Sequence, residues 1–410
     1  MTEEKKNVPE LRFPEFSEEW ALNNVGDLFD FKNGLNKEKE FFGYGSSIVN
    51  FKDVFNNRGI NTKDLTGKVN VNDKELKNYS VKNGDVFFTR TSEVIDEIGY
   101  PSVILDNPEN TVFSGFVLRA RPKIGIKLVD NLFKRYVFFT TSFRKEMITK
   151  SSMTTRALTS GAAINKMEIK YPSSKNEQQK IGDFFSKLDR QIELEEEKLA
   201  LLEEQKKGYM QKIFSQELRF KDENGEDYPE WEVKLFRDFT TTFSGGTPKS
   251  TNKSFYSGSI PFIRSGEIQS SETELHINED AISNSSAKLV NKGDLLYALY
   301  GATSGEVALS KITGAINQAI LCIKTEESKS FLLYYLKYQK ENIVNTYIQG
   351  GQGNLSASII KNLSVKLPIY KEQQKIGEFF SKLDRHIKLQ EQKINLFKKR
   401  KQGFLQKMFV

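Results

Sequence analysis

The stretch EQQKIGDFFSKLDR, residues 177–190, occurs again as EQQKIGEFFSKLDR, residues 372–385, and Asp183 is the single position that differs, with glutamate in the second copy. The similarity continues, with more changes, to Phe214 and Phe409. A repeat of this length indicates a duplicated unit, in which a globular segment leads into a long helix. The sequence therefore predicts the order head, helix, head, helix.

Two further similarities between the repeats support the duplication. The only tryptophans of the chain, Trp20 and Trp231, stand near the start of each unit. The segment KNGDVFF, residues 82–88, resembles NKGDLLY, residues 291–297, and in both a glycine turn signal precedes an apolar strand. We therefore predict an α+β fold with two globular α/β heads and two long helices. The predicted bounds are 1–175 and 216–370 for the heads, and 176–215 and 371–410 for the helices.

Apolar residues in both predicted helices recur at alternating spacings of four and three, which is the heptad pattern of coiled coils. The apolar residues of this seam are Ile181, Phe185, Leu188, Ile192, Leu199 and Leu202 in the first helix, and Ile376, Phe380, Leu383, Ile387, Ile394 and Phe397 in the second. Polar residues take the same two seam positions in both copies, Glu195 and Lys206 in the first, Gln390 and Lys401 in the second. Each helix therefore has one apolar stripe to bury.

We expect the two helices to pair with each other in antiparallel orientation, because equivalent elements of a duplicated chain are most simply related by a pseudo-two-fold axis. Their charges favour this pairing. Residues 177–214 carry seven basic and nine acidic side chains, whereas residues 372–409 carry ten and four. Two alternatives stay open, in which each helix packs only on its own head or the coiled coil forms between two chains.

Composition excludes several classes of protein. One cysteine and two histidines among 410 residues leave no material for a disulfide framework, a structural zinc site or a Cys-His catalytic pair. No signal peptide or long apolar run is present, so we expect a cytoplasmic, metal-free protein. The net charge of +7 favours a polyanionic partner, although charge alone does not identify nucleic acid.

Each head ends in an extended segment that a proline closes, Pro172 in the first and Pro368 in the second. A proline shortly before Glu-Gln-Gln-Lys-Ile, with Leu-Asp-Arg a turn or two later, closely resembles the repeated spacer helices of type I restriction–modification specificity subunits. In the second head, FSGGTPKS at residues 243–250 and AINQA at residues 315–319 resemble the target-recognition domain of that family. The first head departs from this pattern and reads FKNGL at residues 31–35.

The resemblance implies a non-catalytic DNA-binding subunit of a host-defence system. Each head would read one half of a split, asymmetric DNA site, and the helices would act as a ruler. In that family, two modification subunits methylate adenine with S-adenosylmethionine, and two restriction subunits that use ATP with Mg complete the nuclease. We expect no cofactor on this chain itself.

The residues agree with a non-catalytic role, because the sequence has no phosphate-binding loop, no dinucleotide fingerprint and no Asn/Asp-Pro-Pro-aromatic motif for handling adenine. We assign no catalytic residue. The main alternative is a coiled-coil scaffold without sequence-specific DNA binding, and its binding would lack a strong inverse dependence on salt. A stand-alone nuclease or methyltransferase would need activity from this chain alone.

The candidate DNA contacts are polar, cationic or aromatic residues on predicted loops, where base and phosphate contacts usually arise. They are Lys32, Asn33, Thr89, Arg90, Thr91, Thr155 and Arg156 in the first head, and Thr247, Lys249, Ser250, Arg264, Tyr300, Gln352 and Asn354 in the second. Arg90 suits guanine edges or phosphates, and Gln352 and Asn354 suit adenine. Each of these residues could instead be ordinary surface, and core packing is the favoured interpretation for Tyr300. Cys322 is expected to be a buried apolar filler.

Overall fold

The computed structural model describes residues 7–347 and 354–410. The chain forms two compact units, unit 1 with Met1–Glu196 and Gln392–Val410, and unit 2 with Glu197–Glu391. Each unit thus contains one head, the first half of one long helix and the second half of the other.

Unit 1 is a mixed α/β structure. Its described strands are β1 (Ala21–Asn24), β2 (Phe29–Asn33), β3 (Phe42–Val49), β4 (Gly59–Ile60), β5 (Lys68–Val69), β6 (Val86–Thr89), β7 (Thr91–Ser92), β8 (Pro101–Ile104), β9 (Thr111–Phe113), β10 (Val117–Pro122), β11 (Ser152–Met153), β12 (Ala157–Leu158) and β13 (Glu168–Tyr171). Its α-helices are α1 (Val25–Leu28), α2 (Phe51–Asn56), α3 (Asp73–Asn78), α4 (Asn131–Val137), α5 (Thr141–Lys150) and α6 (Gly161–Asn165), followed by the long α7 (Lys175–Phe214).

The central sheet of unit 1 has the strand order β2-β10-β6-β8-β4. Strand β6 is buried on both faces, because Phe88 joins a core with Trp20 and Phe185 while Phe87 joins a second core with Phe113. Smaller sheets have the orders β5-β3-β9 and β11-β12-β7, and β1 pairs antiparallel with β13. The last pairing brings the strand that follows Trp20 beside the strand that leads into α7.

Unit 2 repeats this construction. Its described strands are β14 (Glu232–Leu235), β15 (Thr241–Ser244), β16 (Ile260–Ile263), β17 (Leu275–Ile277), β18 (Lys288–Val290), β19 (Leu295–Ala298), β20 (Val307–Leu309), β21 (Gly314–Ile316), β22 (Ile320–Lys324) and β23 (Ser364–Leu367). Its α-helices are α8 (Phe236–Phe239), α9 (Glu279–Ser283), α10 (Lys329–Tyr347), α11 (Ala357–Lys361) and the long α12 (Tyr370–Lys407). The main sheets have the orders β15-β22-β19-β20 and β17-β16-β21-β18, and β14 pairs with β23.

The glycine turn that precedes β6 and β19 is built in the same way in both units. Gly84 and Gly293 have positive φ angles of 81° and 87°, which the missing Cβ permits. Asp85 and Asp294 accept the backbone N–H three residues earlier, each at 2.8 Å. The predicted turn into an apolar strand is therefore confirmed in both heads. Cys322 is fully buried, as predicted, and burial raises the pKa of its thiol to about 12.

The two long helices pair in antiparallel orientation within each unit. In unit 1, the ring centres of Phe184 on α7 and Phe404 on α12 are 5.1 Å apart. Glu195 Oε1 on α7 lies 2.6 Å from Lys393 Nζ on α12. In unit 2, Lys206 Nζ on α7 lies 2.5 Å from Asp384 Oδ1 on α12, and the ring centres of Tyr209 and Phe379 are 5.3 Å apart. Residue numbers fall on α12 as they rise on α7, so the predicted antiparallel pair and the predicted fold class are confirmed.

All twelve predicted seam residues are buried or half-buried. Ile181, Phe185, Ile376 and Phe380 also belong to the cores of their own heads. Packing on the head, which was an alternative to helix pairing, therefore accompanies it at the start of each long helix. The seam is used within one chain, so pairing between two chains is not needed to bury it. Among the described helices, none is long and apolar enough to cross a membrane.

Candidate nucleic-acid interface

The strands β6 and β19 end at corresponding positions in the two heads, and the residues that follow them make matching backbone bonds. The N–H of Arg90 donates to Phe116 O at 3.3 Å, and its carbonyl accepts from Thr159 N at 3.0 Å. In unit 2, the N–H of Leu299 donates to Ala319 O at 2.8 Å, and its carbonyl accepts from Leu355 N at 2.9 Å. The same fold position therefore carries an arginine in unit 1 and a leucine in unit 2.

Arg90 belongs to a group of loops in unit 1 that we call loop surface 1, and Leu299 belongs to a group of loops in unit 2 that we call loop surface 2. Loop surface 1 comprises residues 33–36, 90–94, 114–116 and 152–159, and loop surface 2 comprises residues 245–250, 264, 299–301, 317–319 and 354–355.

A close backbone approach fixes one edge of each loop surface. A Cβ atom on Gly34 would lie 2.1 Å from Ser114 O, and one on Gly245 would lie 1.8 Å from Ile316 O. Only glycine fits where two backbones touch in this way. The first head therefore contains the same loop as the second, although its sequence FKNGL retains only the first of the two glycines.

Loop surface 1 brings most of the predicted contacts of the first head together. The guanidinium of Arg90 donates from Nη1 to Gly115 O at 2.9 Å, which holds it against the loop before β10. Thr91 lies in β7, which pairs with β12. Thr155 and Arg156 are exposed in the β11–β12 turn, and Arg156 lies 3.8 Å from Glu93, with both side chains largely in solvent. These side chains are available to a ligand.

The two predicted residues of β2 have different surroundings. Lys32 donates from Nζ to Asn78 O at 2.7 Å and lies 5.3 Å from the centre of the Tyr79 ring. Its charge is therefore held at the end of α3. Asn33, one residue further, is exposed at the edge of loop surface 1.

The prediction for Thr89 is wrong. Its side chain is fully buried, and its hydroxyl oxygen accepts the N–H of Tyr100 at 2.9 Å. A side chain that is closed off from solvent cannot reach a base or a phosphate, so Thr89 supports the strand instead.

In unit 2, Thr247, Lys249, Ser250 and Asn354 are exposed on loop surface 2. The Thr247 hydroxyl donates to Gln318 Oε1 at 2.5 Å, which joins the loop after β15 to the loop before β22. Gln352 lies outside the described residues.

Arg264, another predicted DNA contact, is paired with two carboxylates of its own loop. Its guanidinium contacts Glu267 at 3.1 Å and Glu274 at 2.5 Å. The hydrogen bonds to Glu267 and then to Glu274 raise the pKa of Arg264. Its charge is paired within its own loop, so Arg264 helps to hold that loop, and its contact with DNA stays a prediction.

Tyr300 is half-buried and packs on the core of unit 2. Burial raises the pKa of its hydroxyl. This placement agrees with the core-packing interpretation rather than with a stacking contact to DNA.

Two exposed residues of the loop surfaces were missed. Phe116 in unit 1 is 67% exposed, and Gln318 in unit 2 is exposed in the corresponding loop. An exposed aromatic ring can wedge against a base step, and a glutamine amide can pair with adenine in the major groove. The segment AINQA contains Gln318 and could have singled it out, whereas nothing in the sequence around Phe116 indicates that the ring faces solvent.

The start of each long helix is tied to its head by a buried carboxylate. Glu177 accepts hydrogen bonds from Arg12 at 2.7 and 2.8 Å and from Trp20 Nε1 at 3.2 Å. In unit 2, Glu372 accepts from Arg219 at 3.0 and 3.4 Å and from the indole of Trp231 at 3.1 Å. This arrangement explains why each unit has one tryptophan and why the repeated motif begins with glutamate.

The next motif residue closes the joint between head and helix. The amide of Gln178 donates to Pro172 O at 2.8 Å, and that of Gln373 donates to Pro368 O at 2.8 Å. Both glutamines are fully buried. Their amides satisfy carbonyl groups that would otherwise be buried without a partner.

The Leu-Asp-Arg part of the motif joins three elements in each unit. Asp189 accepts the hydroxyl of Tyr136 at 2.8 Å and pairs with Lys401 of α12. Asp384 accepts the hydroxyl of Tyr334 at 2.8 Å and pairs with Lys206 of α7. Each lysine is the second of the two polar residues that interrupt the heptad seam of its helix. The two lysines set the register of the helices through ion pairs. Among the described residues, no group of His, Cys, Asp or Glu could hold a metal ion.

Residues 17–204 and 228–399 each match the family model of the type I restriction modification DNA specificity domain. The chain belongs to this specificity-subunit family. The two matched segments cover both heads and most of both long helices, so the resemblance seen in the repeated motif is confirmed. A coiled-coil scaffold without DNA recognition has no support, and the chain is a DNA-recognition subunit.

Relatives of this specificity chain include the putative type I restriction enzyme MjaX specificity subunit of Methanocaldococcus jannaschii, which is 22% identical over 98% of this chain and 95% of its own length. The type I restriction enzyme HindI specificity subunit of Haemophilus influenzae is 22% identical, with 89% of this chain and 94% of the relative covered. The crystal structure of a type I restriction–modification S subunit from M. genitalium matches with a TM-score of 0.59, 16% identity and coverage of 98% of this chain and 99% of that chain. This structural match shows a shared fold.

Proposed function

We propose that loop surfaces 1 and 2 read the two different halves of a split, asymmetric DNA site. The observation that carries this proposal is the pair of equivalent positions that hold different side chains. Unit 1 presents Arg90 and Phe116 where unit 2 presents the buried Leu299 and, one loop away, Gln318. Arginine favours guanine and glutamine favours adenine, so the two surfaces suit different bases.

DNA binding by the chain together with its modification subunit tests this proposal. We expect affinity to fall steeply as salt rises, with a residual preference for one split sequence at all salt concentrations. Binding without salt dependence or sequence preference would contradict the proposal.

We further propose that the long helices set the gap between the half-sites. Each helix begins in one unit and ends in the other, and ion pairs such as Glu195–Lys393 and Lys206–Asp384 hold the two in register. Deletion of one heptad from both helices removes about 10 Å of each. We expect the preferred gap to shorten while both half-site sequences stay the same. An unchanged gap would show that the helices are not the ruler.

The long helices also supply a surface for partner subunits. Four leucines outside the seam are about half exposed, and they occupy equivalent positions in the two copies of the repeat. They are Leu194 (47%) and Leu201 (53%) on α7, and Leu389 (53%) and Leu396 (48%) on α12. Unit 1 contains Leu194 and Leu396, and unit 2 contains Leu389 and Leu201. Two equivalent apolar patches favour two copies of the modification subunit.

In this assembly the chain itself is non-catalytic. The two modification subunits carry S-adenosylmethionine and methylate adenine, and two restriction subunits carry ATP with Mg and cut DNA in the cytoplasm. The double substitution Leu194→Asp with Leu396→Asp should reduce the number of bound modification subunits from two to one, as measured by native mass spectrometry. Leu289→Asp, at a 50% exposed leucine on the edge strand β18, is the control. Retention of both subunits would contradict docking at the leucine patches.

A further inference from the structure

A polar cavity of about 490 Å³ lies in unit 1 where the end of α2, the helix α4 and both long helices meet. Its lining residues are Asn56, Asn57, Arg58, Gly59, Arg135, Ser186, Asp189, Arg190, Glu193 and Lys401. The cavity does not include any residue of loop surface 1. The proposed reading of a DNA half-site by loop surface 1 therefore does not explain this cavity.

The charges that line this cavity do not balance. Four cations face two carboxylates among its lining residues, which leaves a surplus of two positive charges. Arg190 pairs with Glu193 at 2.7 Å, so Asp189 is shared by the three remaining cations. Arg135 lies 3.9 Å from Asp189, and Lys401 pairs with it directly.

The three cations that share Asp189 surround one aromatic ring. The charged groups of Arg58, Arg135 and Lys401 lie 5.9, 5.6 and 5.8 Å from the centre of the Tyr136 ring. Burial lowers the pKa of Arg58 and of Lys401, and each of the two is also lowered by the charge of Arg135. This crowding costs free energy unless an anion joins the cluster.

Two of the guanidinium nitrogens in the cluster are buried without a hydrogen-bond partner. They are Nη1 of Arg58 and Nε of Arg135. The guanidinium of Arg58 lies 4.3 Å from the centre of the Phe139 ring, and an aromatic ring does not supply the missing hydrogen-bond acceptor. A buried donor without an acceptor is unfavourable, and a donor on a charged group is more so. Both nitrogens belong to residues that line the cavity.

We propose that this cavity is an oxyanion site that binds a phosphate group. A dianionic phosphate balances the surplus of two charges, which a single carboxylate would leave half compensated. The planar donors of two arginines also match the several acceptor oxygens of phosphate. Asp189 holds Lys401 and Tyr136 in place and is not itself a ligand of the anion.

The corresponding cavity of unit 2 provides a comparison. It lies against Asp384, has a volume of about 550 Å³, and includes Lys206 and Lys337 near the Tyr334 ring. None of the described residues that line it is an arginine, and they include the carboxylates of Glu203, Glu341 and Asp384. Its four lining lysines thus face three carboxylates, a surplus of one, so the phosphate site belongs to unit 1 alone.

Inorganic phosphate tests the site without DNA. Calorimetric titration and the thermal midpoint of the full chain would be measured against chloride at constant ionic strength. We expect phosphate to bind and to raise the midpoint of the wild type. Arg58→Gln should weaken binding by about tenfold or more, since a charge-assisted contact is lost. Lys337→Gln, which removes one cation from the cavity of unit 2, should bind phosphate as the wild type does.

The site would be refuted if phosphate bound none of the three proteins, or bound Arg58→Gln as tightly as the wild type. Arg135→Gln is the second variant, and circular dichroism identifies a variant that fails to fold. Normal phosphate binding by Arg58→Gln together with loss of modification-subunit binding would instead make Arg58 a protein contact and overturn the proposal.

The phosphate could come from the DNA backbone or from solution, and the DNA part of the test rests on the proposed function. If a backbone phosphate fills the site, Arg58→Gln should lower the slope of log affinity against log salt by about 0.9. An unchanged slope with lost phosphate binding would identify free phosphate as the ligand. Failure of half-site reading would leave the titration with inorganic phosphate unaffected, so the two proposals can fail separately.

Discussion

The junctions between head and helix are nearly identical in the two units, whereas the loop surfaces differ. Glu177 and Glu372 each accept hydrogen bonds from one arginine and from the indole of one tryptophan. Arg90 and Leu299 occupy the same backbone position yet differ in charge and exposure. This difference indicates that burial restricts substitution at the junctions, whereas the exposed loops can change to match different DNA sequences.

The physical reason is the cost of a buried charge. A buried carboxylate needs all of its donors, so any change at a junction leaves an unpaired group. An exposed loop side chain changes at a cost of only a few tenths of a kcal/mol. A duplicated chain can therefore retain two copies of one scaffold while its loops diverge.

The largest effect should come from the junctions. Glu177→Gln and Glu372→Gln each remove the buried carboxylate from a largely buried arginine, and we expect a loss of about 3 kcal/mol in the free energy of unfolding. The loss should be similar in both units, since both carboxylates are at most 2% exposed. Urea unfolding followed by tryptophan fluorescence measures it, because Trp20 and Trp231 touch these groups.

Glu204→Gln, at an exposed glutamate of α7, is the control for this experiment and should change stability by less than about 0.5 kcal/mol. If either junction variant lowers the free energy of unfolding by no more than this control does, the buried carboxylates do not stabilise the junctions as proposed.

A smaller, selective effect should come from the loop surfaces. Arg90→Ala should weaken binding to one half-site by about tenfold, and Gln318→Ala should weaken binding to the other half-site to a similar degree. Neither change should affect assembly with the modification subunits. Competition binding with DNA in which one half-site is scrambled measures each contribution. Equal loss at both half-sites from one substitution would remove the distinction between the surfaces.

The smallest effect concerns a core position that differs between the units. Lys134 is buried in unit 1 and donates from Nζ to Gly84 O at 3.2 Å. The equivalent residue of unit 2 is the buried Leu332, since Leu332 follows Phe331 as Lys134 follows Phe133. Burial lowers the pKa of Lys134 to about 8, well below the value of about 10.4 in an unfolded chain. The unfolded state therefore binds more protons between pH 8 and pH 10, and stability rises with pH across this window.

Lys134→Leu should abolish this rise and stabilise the chain by about 1 kcal/mol below pH 8, since the loss of the donor to Gly84 O offsets part of the gain. Urea unfolding at several pH values measures the effect. A variant whose stability still climbs between pH 8 and pH 10 would show that Lys134 is not the titrating group.

The sequence predicted those features that depend on pattern. The repeat and the heptad spacing led to two long antiparallel helices, and the glycine turns led to buried strands. Thr89 was misjudged and the pairing of Arg264 was not foreseen, because a loop position in sequence does not reveal burial or a neighbouring carboxylate. Thr89 is covered by the backbone of Tyr100, and Arg264 is bound by Glu274, ten positions away.

Phe116 was missed for the same physical reason. The exposure of its ring depends on how the turn before β10 projects from the sheet, which no local pattern encodes. The phosphate cavity likewise combines Arg58, Arg135 and Lys401, which are far apart in sequence. Such sites appear only when tertiary packing brings the elements together.

A map of the methylated adenines in a genome that carries this chain with its modification subunit tests the central claim most directly. Two unlike half-sites separated by a fixed gap are the predicted result, with Arg90→Ala relaxing one half-site and Gln318→Ala the other. A single continuous motif, or one half-site that responds to both substitutions, would contradict the account.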